Sequence, residues 1–101
     1  MEILKAEEIQ NKINNGESFV LKMSASWCGP CKASTEEIKK IDFEVPIYEF
    51  DVESDIEFSQ KFKVRNVPTV KLFKNGEDVH TFLGLKSADT INGLINEHIL
   101  N

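Results

Sequence analysis

Two cysteines separated by two residues constrain this chain more than any other feature. Cys28 and Cys31 are its only cysteines, and they lie in the stretch Trp27-Cys28-Gly29-Pro30-Cys31-Lys32. On a helix, this spacing puts both sulfurs on one face, close enough to form a disulfide between neighbouring turns. The apolar run at 19–21 predicts a strand before the cysteines, and the segment after them predicts a helix.

The expected start of that helix favours a reactive sulfur. Cys28 would lie at the helix N-terminus, where unpaired backbone N–H groups and the positive end of the dipole stabilise a thiolate. Pro30 falls in the first turn, where a missing N–H and a fixed φ cost nothing. Gly29 lets the backbone bend without a side chain over the sulfurs. The stretch therefore predicts a reactive dithiol.

Two other uses of the cysteines are weaker alternatives. A structural zinc site needs about four ligands, and besides carboxylates only His80 and His98 remain, so we expect no metal. A purely structural disulfide would restrain the unfolded chain little, because the loop it closes is so short. The chain also shows no export signal, so we expect a compartment that keeps thiols reduced.

Composition indicates one small globular domain spanning 1–101. Hydrophobic residues make up 41% and charged residues 29%, an ordinary balance for one core. The net charge of −5, with scattered lysine and arginine, argues against nucleic acid as a partner. No apolar run approaches the length of a membrane span. We expect a cytoplasmic monomer.

Hydrophobic periodicity predicts an α/β chain with the order β-α-β-α-β-α-β-β-α. Right-handed crossovers would make the early strands parallel, and a hairpin at Asn75-Gly76 would add an antiparallel pair. Ser54 and Glu57 have capping-box spacing for the third helix, and Ser87 would cap the last. The predicted strands are 2–4, 19–23, 45–52, 69–74 and 79–83, and the first two helices are 6–15 and 31 to about 41.

With these motifs in place, the chain resembles the thioredoxin family along essentially its whole length. The stretch Trp27–Lys32 is similar to the family's active site. Val67-Pro68-Thr69 is similar to its hydrophobic-Pro-Thr segment, whose proline is cis and packs against the disulfide. The segment 73–77 and Gly84 also match in order and spacing. The resemblance implies a thioredoxin fold, with a central mixed sheet of four to five strands flanked by about four helices.

The same resemblance implies a protein-disulfide reductase that acts as a general electron donor. Cys28, expected to be exposed, would attack a substrate disulfide, and the buried Cys31 would resolve the mixed disulfide. Electrons would come from a thioredoxin reductase that uses flavin, or from another thiol donor, and the domain itself would need no cofactor. The expected substrate-binding rim consists of Trp27, Val67, Pro68, Leu83, Gly84 and Leu85.

Departures from the family pattern concern the residues beneath the cysteines. Lys22 stands where thioredoxins usually carry a buried aspartate, and Glu49 stands where they carry a lysine. One interpretation is a partly buried pair, in which Lys22 favours the thiolate and Glu49 deprotonates Cys31 if burial raises the Glu49 pKa. The other is that both side chains point to solvent. Glu36 replaces a common kinking proline, which predicts a straighter helix, and Ser24 leaves Trp27 as the only indole.

Two other functions remain as alternatives. The chain could be a thioredoxin-fold subunit whose rim docks a partner protein, with redox chemistry secondary. A protein resembling glutaredoxins and using glutathione is less well supported, because the C-G-P-C core is typical of thioredoxins and no basic cluster suits the glutathione carboxylates. His80 and His98 are interpreted as incidental to function.

Overall fold

The computed structural model describes residues 1–41 and 44–101, which contain five strands and four helices in the predicted order. The strands are β1 (Glu2–Ile3), β2 (Phe19–Ser24), β3 (Ile47–Asp51), β4 (Thr69–Lys74) and β5 (Glu77–Leu83). The helices are α1 (Ala6–Asn14), α2 (Gly29–Ile38), α3 (Ile56–Lys61) and α4 (Ala88–His98). The predicted α/β class is therefore confirmed.

The strands form one mixed sheet in the order β1-β3-β2-β4-β5. β3 pairs in parallel with both β1 and β2, while β4 is antiparallel to β2 and β5 is antiparallel to β4. Every residue of the central strand β2 is buried. This burial explains its nearly continuous apolar sequence, because helices cover both faces of the strand.

Alternation along β2 divides the interior into two cores. Phe19, Leu21 and Met23 point into one core, with side chains from α1 and α3. Val20 points into the other core, which receives side chains from α2 and α4. Lys22 and Ser24 share the Val20 face, since side chains two apart on a strand lie on the same side. This alternation puts the lysine under α2, the helix that carries the cysteines.

The predicted hairpin turn is present between β4 and β5. Asn75 and Gly76 have φ angles of 53° and 82°, and a type I′ turn requires both to be positive. Pairing reaches Lys74 and Glu77, on either side of the two turn residues. β5 consequently begins two residues earlier than predicted, because the ladder continues up to the turn.

Several helix boundaries differ from the predictions: α1 ends one residue earlier than predicted, and α2 begins at Gly29, two residues before the predicted 31. The cap of α3 is Asp55, whose carboxylate accepts a hydrogen bond from the Phe58 backbone N–H, so the prediction of Ser54 was wrong. Ser54 instead donates to the Asp51 carbonyl oxygen in the turn after β3. α2 ends at Ile38, about three residues earlier than predicted, and is continuous through Glu36. Ser87 caps α4 as predicted.

Candidate active site

Cys28 and Cys31 form a disulfide at the N-terminus of α2. Cys28 is the capping residue, Pro30 lies in the first turn, and the two Cα atoms are 5.3 Å apart. The backbone N–H of Cys31 donates to the Sγ of Cys28 over 3.1 Å. When the disulfide is reduced, this donor and the helix dipole stabilise negative charge on that sulfur.

The exposure of Cys28 differs from the prediction. Both cysteines are 4% exposed in the disulfide form, so the expectation of an exposed Cys28 was wrong. Ala25 is buried with the two cysteines, and Val52 and Val67 pack against them. A Cβ atom on Gly29 would meet nothing within 4 Å, so the structure shows no steric need for glycine at this position. Access to the sulfurs is therefore limited by residues distant in sequence.

Part of the expected rim lies beside the covered disulfide. The Val67–Pro68 peptide bond is cis, and the carbonyl oxygen of Val67 lies 3.6 Å from the Sγ of Cys28. The backbone N–H of Gly84 donates to the Pro68 carbonyl oxygen, which brings the end of β5 beside the proline. Leu83 and Leu85, on either side of Gly84, are each more than half exposed.

Trp27 lies on the surface next to Cys28. Its side chain is 69% exposed, and its indole N–H donates to the Glu53 carboxylate over 3.0 Å. Trp27 also borders a second, smaller cleft together with Val67 and Arg65. Trp27 is therefore a surface residue whose indole is fixed by this hydrogen bond.

Lys22 is buried beneath the cysteines and pairs with Glu49. Its side chain is 1% exposed, so the solvent-facing interpretation was wrong for this residue. Its Nζ donates to the Cys31 carbonyl oxygen over 2.8 Å, to the Thr35 Oγ1 over 2.5 Å and to the Glu49 carboxylate over 2.9 Å. The pair arises from register, because Lys22 is directly opposite Glu49 in the parallel pairing of β2 and β3.

The Glu49 carboxyl does not have the raised pKa that the general-base hypothesis required. Burial alone would raise its pKa, but the hydrogen bonds from Lys22 and Ser24, together with the charge of Lys22, outweigh burial and lower the pKa. The Ser24 hydroxyl donates to the same carboxylate oxygen over 2.8 Å. Glu49 is thus held in its ionised form, which makes it a weaker base than the hypothesis assumed.

A cleft of about 300 Å³, lined by both polar and apolar residues, separates the start of α2 from the ends of β2 and β3. Cys28, Cys31, Lys32 and Thr35 line it from the helix side, and Lys22, Ser24, Glu49 and Asp51 line it from the sheet. Sequence analysis did not single out Asp51 or Thr35. Strand alternation from Glu49 and the four-residue helical spacing from Cys31 are the signals that could have found them.

Comparison with known proteins identifies the family. A family model described as Thioredoxin matches residues 1–97. The chain belongs to the thioredoxin family. The thioredoxin of Bacillus subtilis is 33% identical over 104 residues, covering 98% of this chain and 100% of that protein. The thioredoxin of Chlamydia trachomatis is 31% identical over 101 residues, covering 97% and 98%. The crystal structure of Malassezia sympodialis thioredoxin has a TM-score of 0.80 at 28% identity, covering 97% of this chain and 90% of that one.

Membership of the thioredoxin family confirms the predicted fold and class of chemistry. The protein is a thiol–disulfide oxidoreductase with a redox-active disulfide centre. Thioredoxins act on disulfide substrates and are reduced by thiol donors. Among the described residues, no helix is long and apolar enough to cross a membrane. Within 1–41 and 44–101, no three histidine, cysteine, aspartate or glutamate side chains are grouped as metal ligands would be.

Proposed function

We propose that this thioredoxin reduces disulfides in substrate proteins as a general electron donor, with Cys28 as the attacking sulfur and Cys31 as the resolving sulfur. The observation that carries the assignment is the hydrogen bond from the Cys31 backbone N–H to the Sγ of Cys28 at the start of α2. Of the two sulfurs, Cys28 is the one at the helix N-terminus, where a thiolate is stabilised.

In the first step, the Cys28 thiolate attacks one sulfur of the substrate disulfide. A bond forms between the two sulfurs, the substrate S–S bond breaks, and the other substrate sulfur leaves as a thiolate. The substrate lies as an extended strand along the Val67 backbone, beside Cys28. Because Cys28 is nearly buried, the substrate sulfur has to approach it between the residues of the rim.

In the second step, Cys31 loses its proton and its thiolate attacks the Sγ of Cys28. The mixed disulfide breaks, the second substrate sulfur leaves as a thiolate, and two electrons have passed to the substrate. The Cys28–Cys31 disulfide of the structure corresponds to the product of this step. A flavin-dependent thioredoxin reductase or another thiol donor then returns two electrons, and no cofactor is bound to the domain.

The surface that receives the substrate is the rim around the disulfide. Three of its side chains are large, apolar and mostly exposed, which suits contact with a partner that is itself released after reaction. The proposed rim consists of Trp27, Val67, Pro68, Leu83, Gly84 and Leu85. Lys22 and Glu49 lie beneath it as supporting residues, and we propose that the protein works as a cytoplasmic monomer.

Single-cysteine variants test the order of attack. With dithiothreitol as the thiol donor and a disulfide-bonded protein as substrate, Cys28→Ser should lower the rate of reduction to that of dithiothreitol alone. With dithiothreitol removed, Cys31→Ser should accumulate a mixed disulfide that mass spectrometry places at Cys28. A mixed disulfide trapped by Cys28→Ser instead would contradict the assignment.

The general role is tested by the equilibrium reduction potential, followed through Trp27 fluorescence in a thiol–disulfide buffer. A value near about −270 mV supports a general reductase, and a value near about −200 mV contradicts it. The docking-subunit alternative predicts that Cys28→Ser/Cys31→Ser still complements cells from which this protein has been deleted. The reductase proposal predicts that the double variant does not complement them.

A further inference from the structure

Resolution of the mixed disulfide requires an acceptor for the proton of Cys31, because only the thiolate attacks. We propose that Asp51, acting through water in the cleft between α2 and the sheet, is that acceptor. This inference rests on the proposed role of Cys31 as the resolving cysteine. Cys28 and Cys31 line the cleft from its helix side, and Asp51 lines it from its sheet side.

The cationic and hydroxyl groups of the cleft floor are already committed to hydrogen bonds. An ammonium has three donors and no acceptor, and Lys22 makes three hydrogen bonds. The Thr35 hydroxyl donates to the Cys31 carbonyl oxygen over 3.0 Å, and the Ser24 hydroxyl donates to Glu49. The ammonium has no lone pair to receive a proton, and the hydroxyls are too weakly basic to hold one at neutral pH.

Glu49 is a poor acceptor because of its pairing. One of its oxygens accepts hydrogen bonds from both Lys22 and Ser24, and the interactions with Lys22 and Ser24 hold its pKa below the usual range despite burial. Neutralising this carboxylate would leave the buried ammonium of Lys22 without its counter-charge, which is strongly unfavourable. The charge that stabilises Glu49 therefore keeps it from the proton of Cys31.

Asp51 lies two residues beyond Glu49 on β3 and does not share the contacts of Glu49 with Lys22 and Ser24. It is opposite Ser24 in the register of β2 and β3, so it lies on the same face as Glu49. Its Oδ1 accepts the Glu53 backbone N–H over 2.9 Å, and in the described part of the chain its Oδ2 accepts no hydrogen bond. A proton on Oδ2 would break no observed contact, and partial exposure lets the proton pass on to solvent.

The cleft is large enough for the water that the proposal needs. A water molecule takes up about 30 Å³ in the liquid, so a cleft of about 300 Å³ holds several. The proton moves from the Cys31 sulfur to water and from water to Oδ2 of Asp51. The electron pair stays on the sulfur, which attacks Cys28. The charged groups facing this path are Lys22, Glu49 and Lys32, and the N-terminal ammonium acts on Glu49.

Asp51→Asn separates a proton acceptor from a simple electrostatic effect. The amide keeps an oxygen for the Glu53 N–H but has no basic carboxylate. Loss of a negative charge would by itself favour the Cys31 thiolate and speed resolution. Loss of a proton acceptor slows it. The two explanations therefore predict opposite signs.

The experiment follows the mixed disulfide in a single turnover. Reduced protein is mixed with a disulfide-linked peptide at several pH values, quenched with acid and analysed by mass spectrometry. We expect Asp51→Asn to slow resolution at neutral pH at least about tenfold and to change its pH profile, with attack by Cys28 within about twofold of wild type. Asp51→Glu should restore most of the rate. Asp89→Asn, a like change in the first turn of α4, is the matched control.

Resolution in Asp51→Asn that is as fast as wild type, or faster, overturns the proposal. Slower resolution in Glu49→Gln but not in Asp51→Asn also overturns it, because Glu49 would then be the acceptor. A wild-type protein that forms no mixed disulfide through Cys28 contradicts the proposed function instead. The two failures are therefore distinguishable.

Discussion

Replacing Lys22 by methionine tests how much the buried ion pair contributes to the stability of this thioredoxin. Methionine keeps a long, unbranched side chain that fills most of the same space. It removes the ammonium and the three hydrogen bonds to the Cys31 carbonyl, Thr35 and Glu49. We expect the variant to fold with a lower free energy of unfolding.

The size of the loss follows from what each partner retains. The Cys31 carbonyl still accepts the Thr35 hydroxyl, and Ser24 still donates to Glu49. The main cost is therefore the unpaired Glu49 carboxylate, whose side chain is 21% exposed and is partly hydrated. Removing one partner of a fully buried pair costs about 3–5 kcal/mol, so we expect about 2–3 kcal/mol here.

Removing the second charge should recover part of this loss. In Lys22→Met/Glu49→Gln no ionised carboxylate is left without a partner, so we expect the double variant to be more stable than Lys22→Met by about 1–2 kcal/mol. Lys39→Met is the matched control, because it removes a lysine from an exposed ion pair. The Nζ of Lys39 lies 3.7 Å from the Oε1 of Glu36. The effect of this control should stay within about 0.5 kcal/mol of zero.

Urea unfolding of the oxidised wild type, the three variants and Glu49→Gln at neutral pH, followed by far-ultraviolet circular dichroism, measures all five free energies. With a urea dependence of about 1.5 kcal/mol per molar, the midpoint of Lys22→Met should fall by roughly 1.3–2 M. A midpoint within about 0.3 M of wild type would refute the reasoning. So would single-variant effects that add within about 0.5 kcal/mol in the double variant.

Four further predictions concern pH and the backbone. The pKa of Glu49 is lower in the folded protein than its ordinary value of 4.5. Its contribution to stability is therefore full above pH 4.5 and is lost as the pH falls through the pKa of the folded protein. We expect the urea midpoint of Glu49→Gln to fall less steeply at acid pH than that of wild type. Burial and the nearby His98 lower the pKa of His80 from its ordinary 6.5. The protein should therefore lose stability as the pH falls below 6.5, because the unfolded chain then binds a proton that the folded protein does not. His80→Gln should lose less stability over the same pH range. Gly76→Ala should destabilise the protein by more than about 1 kcal/mol, because φ is positive and a Cβ would lie 2.4 Å from the Ile13 carbonyl oxygen. Gly93→Ala, where a Cβ meets nothing within 4 Å, should stabilise α4 by about 0.5–1 kcal/mol, and a reversed order of the two midpoints would contradict this account.

The elements that were predicted well are those whose signals are local. Asn75-Gly76 specifies its turn because few other residue pairs tolerate two positive φ angles. Ser87 caps α4 through its own hydroxyl, three residues from the N–H that it accepts. The α3 cap was misplaced by one residue because two adjacent side chains, Ser54 and Asp55, are both capable of capping. The turn after β3 uses the first of them.

The errors at the site have a different origin. Cys28 was expected to be exposed, but Val67, 39 positions away, packs over it. Glu49 was suggested to have a raised pKa, but the sign depends on burial opposed by two hydrogen bonds from another strand. The stacking of His80 on His98, with ring centroids 4.3 Å apart, was not anticipated, because it joins β5 to the end of α4. Each outcome depends on residues distant in sequence.

The sequence by itself determined that a reactive cysteine pair begins a helix after a buried strand, because spacing, capping and hydrophobic alternation act within a few residues. It also marked Lys22 as unusual, since a lysine interrupts an apolar run. Only the tertiary structure decided what surrounds that lysine. The crossover from β2 through α2 to β3 brings Glu49, Thr35 and Asp51 to one cleft. Burial and charge pairing are sums over long-range contacts, and the local pattern does not contain them.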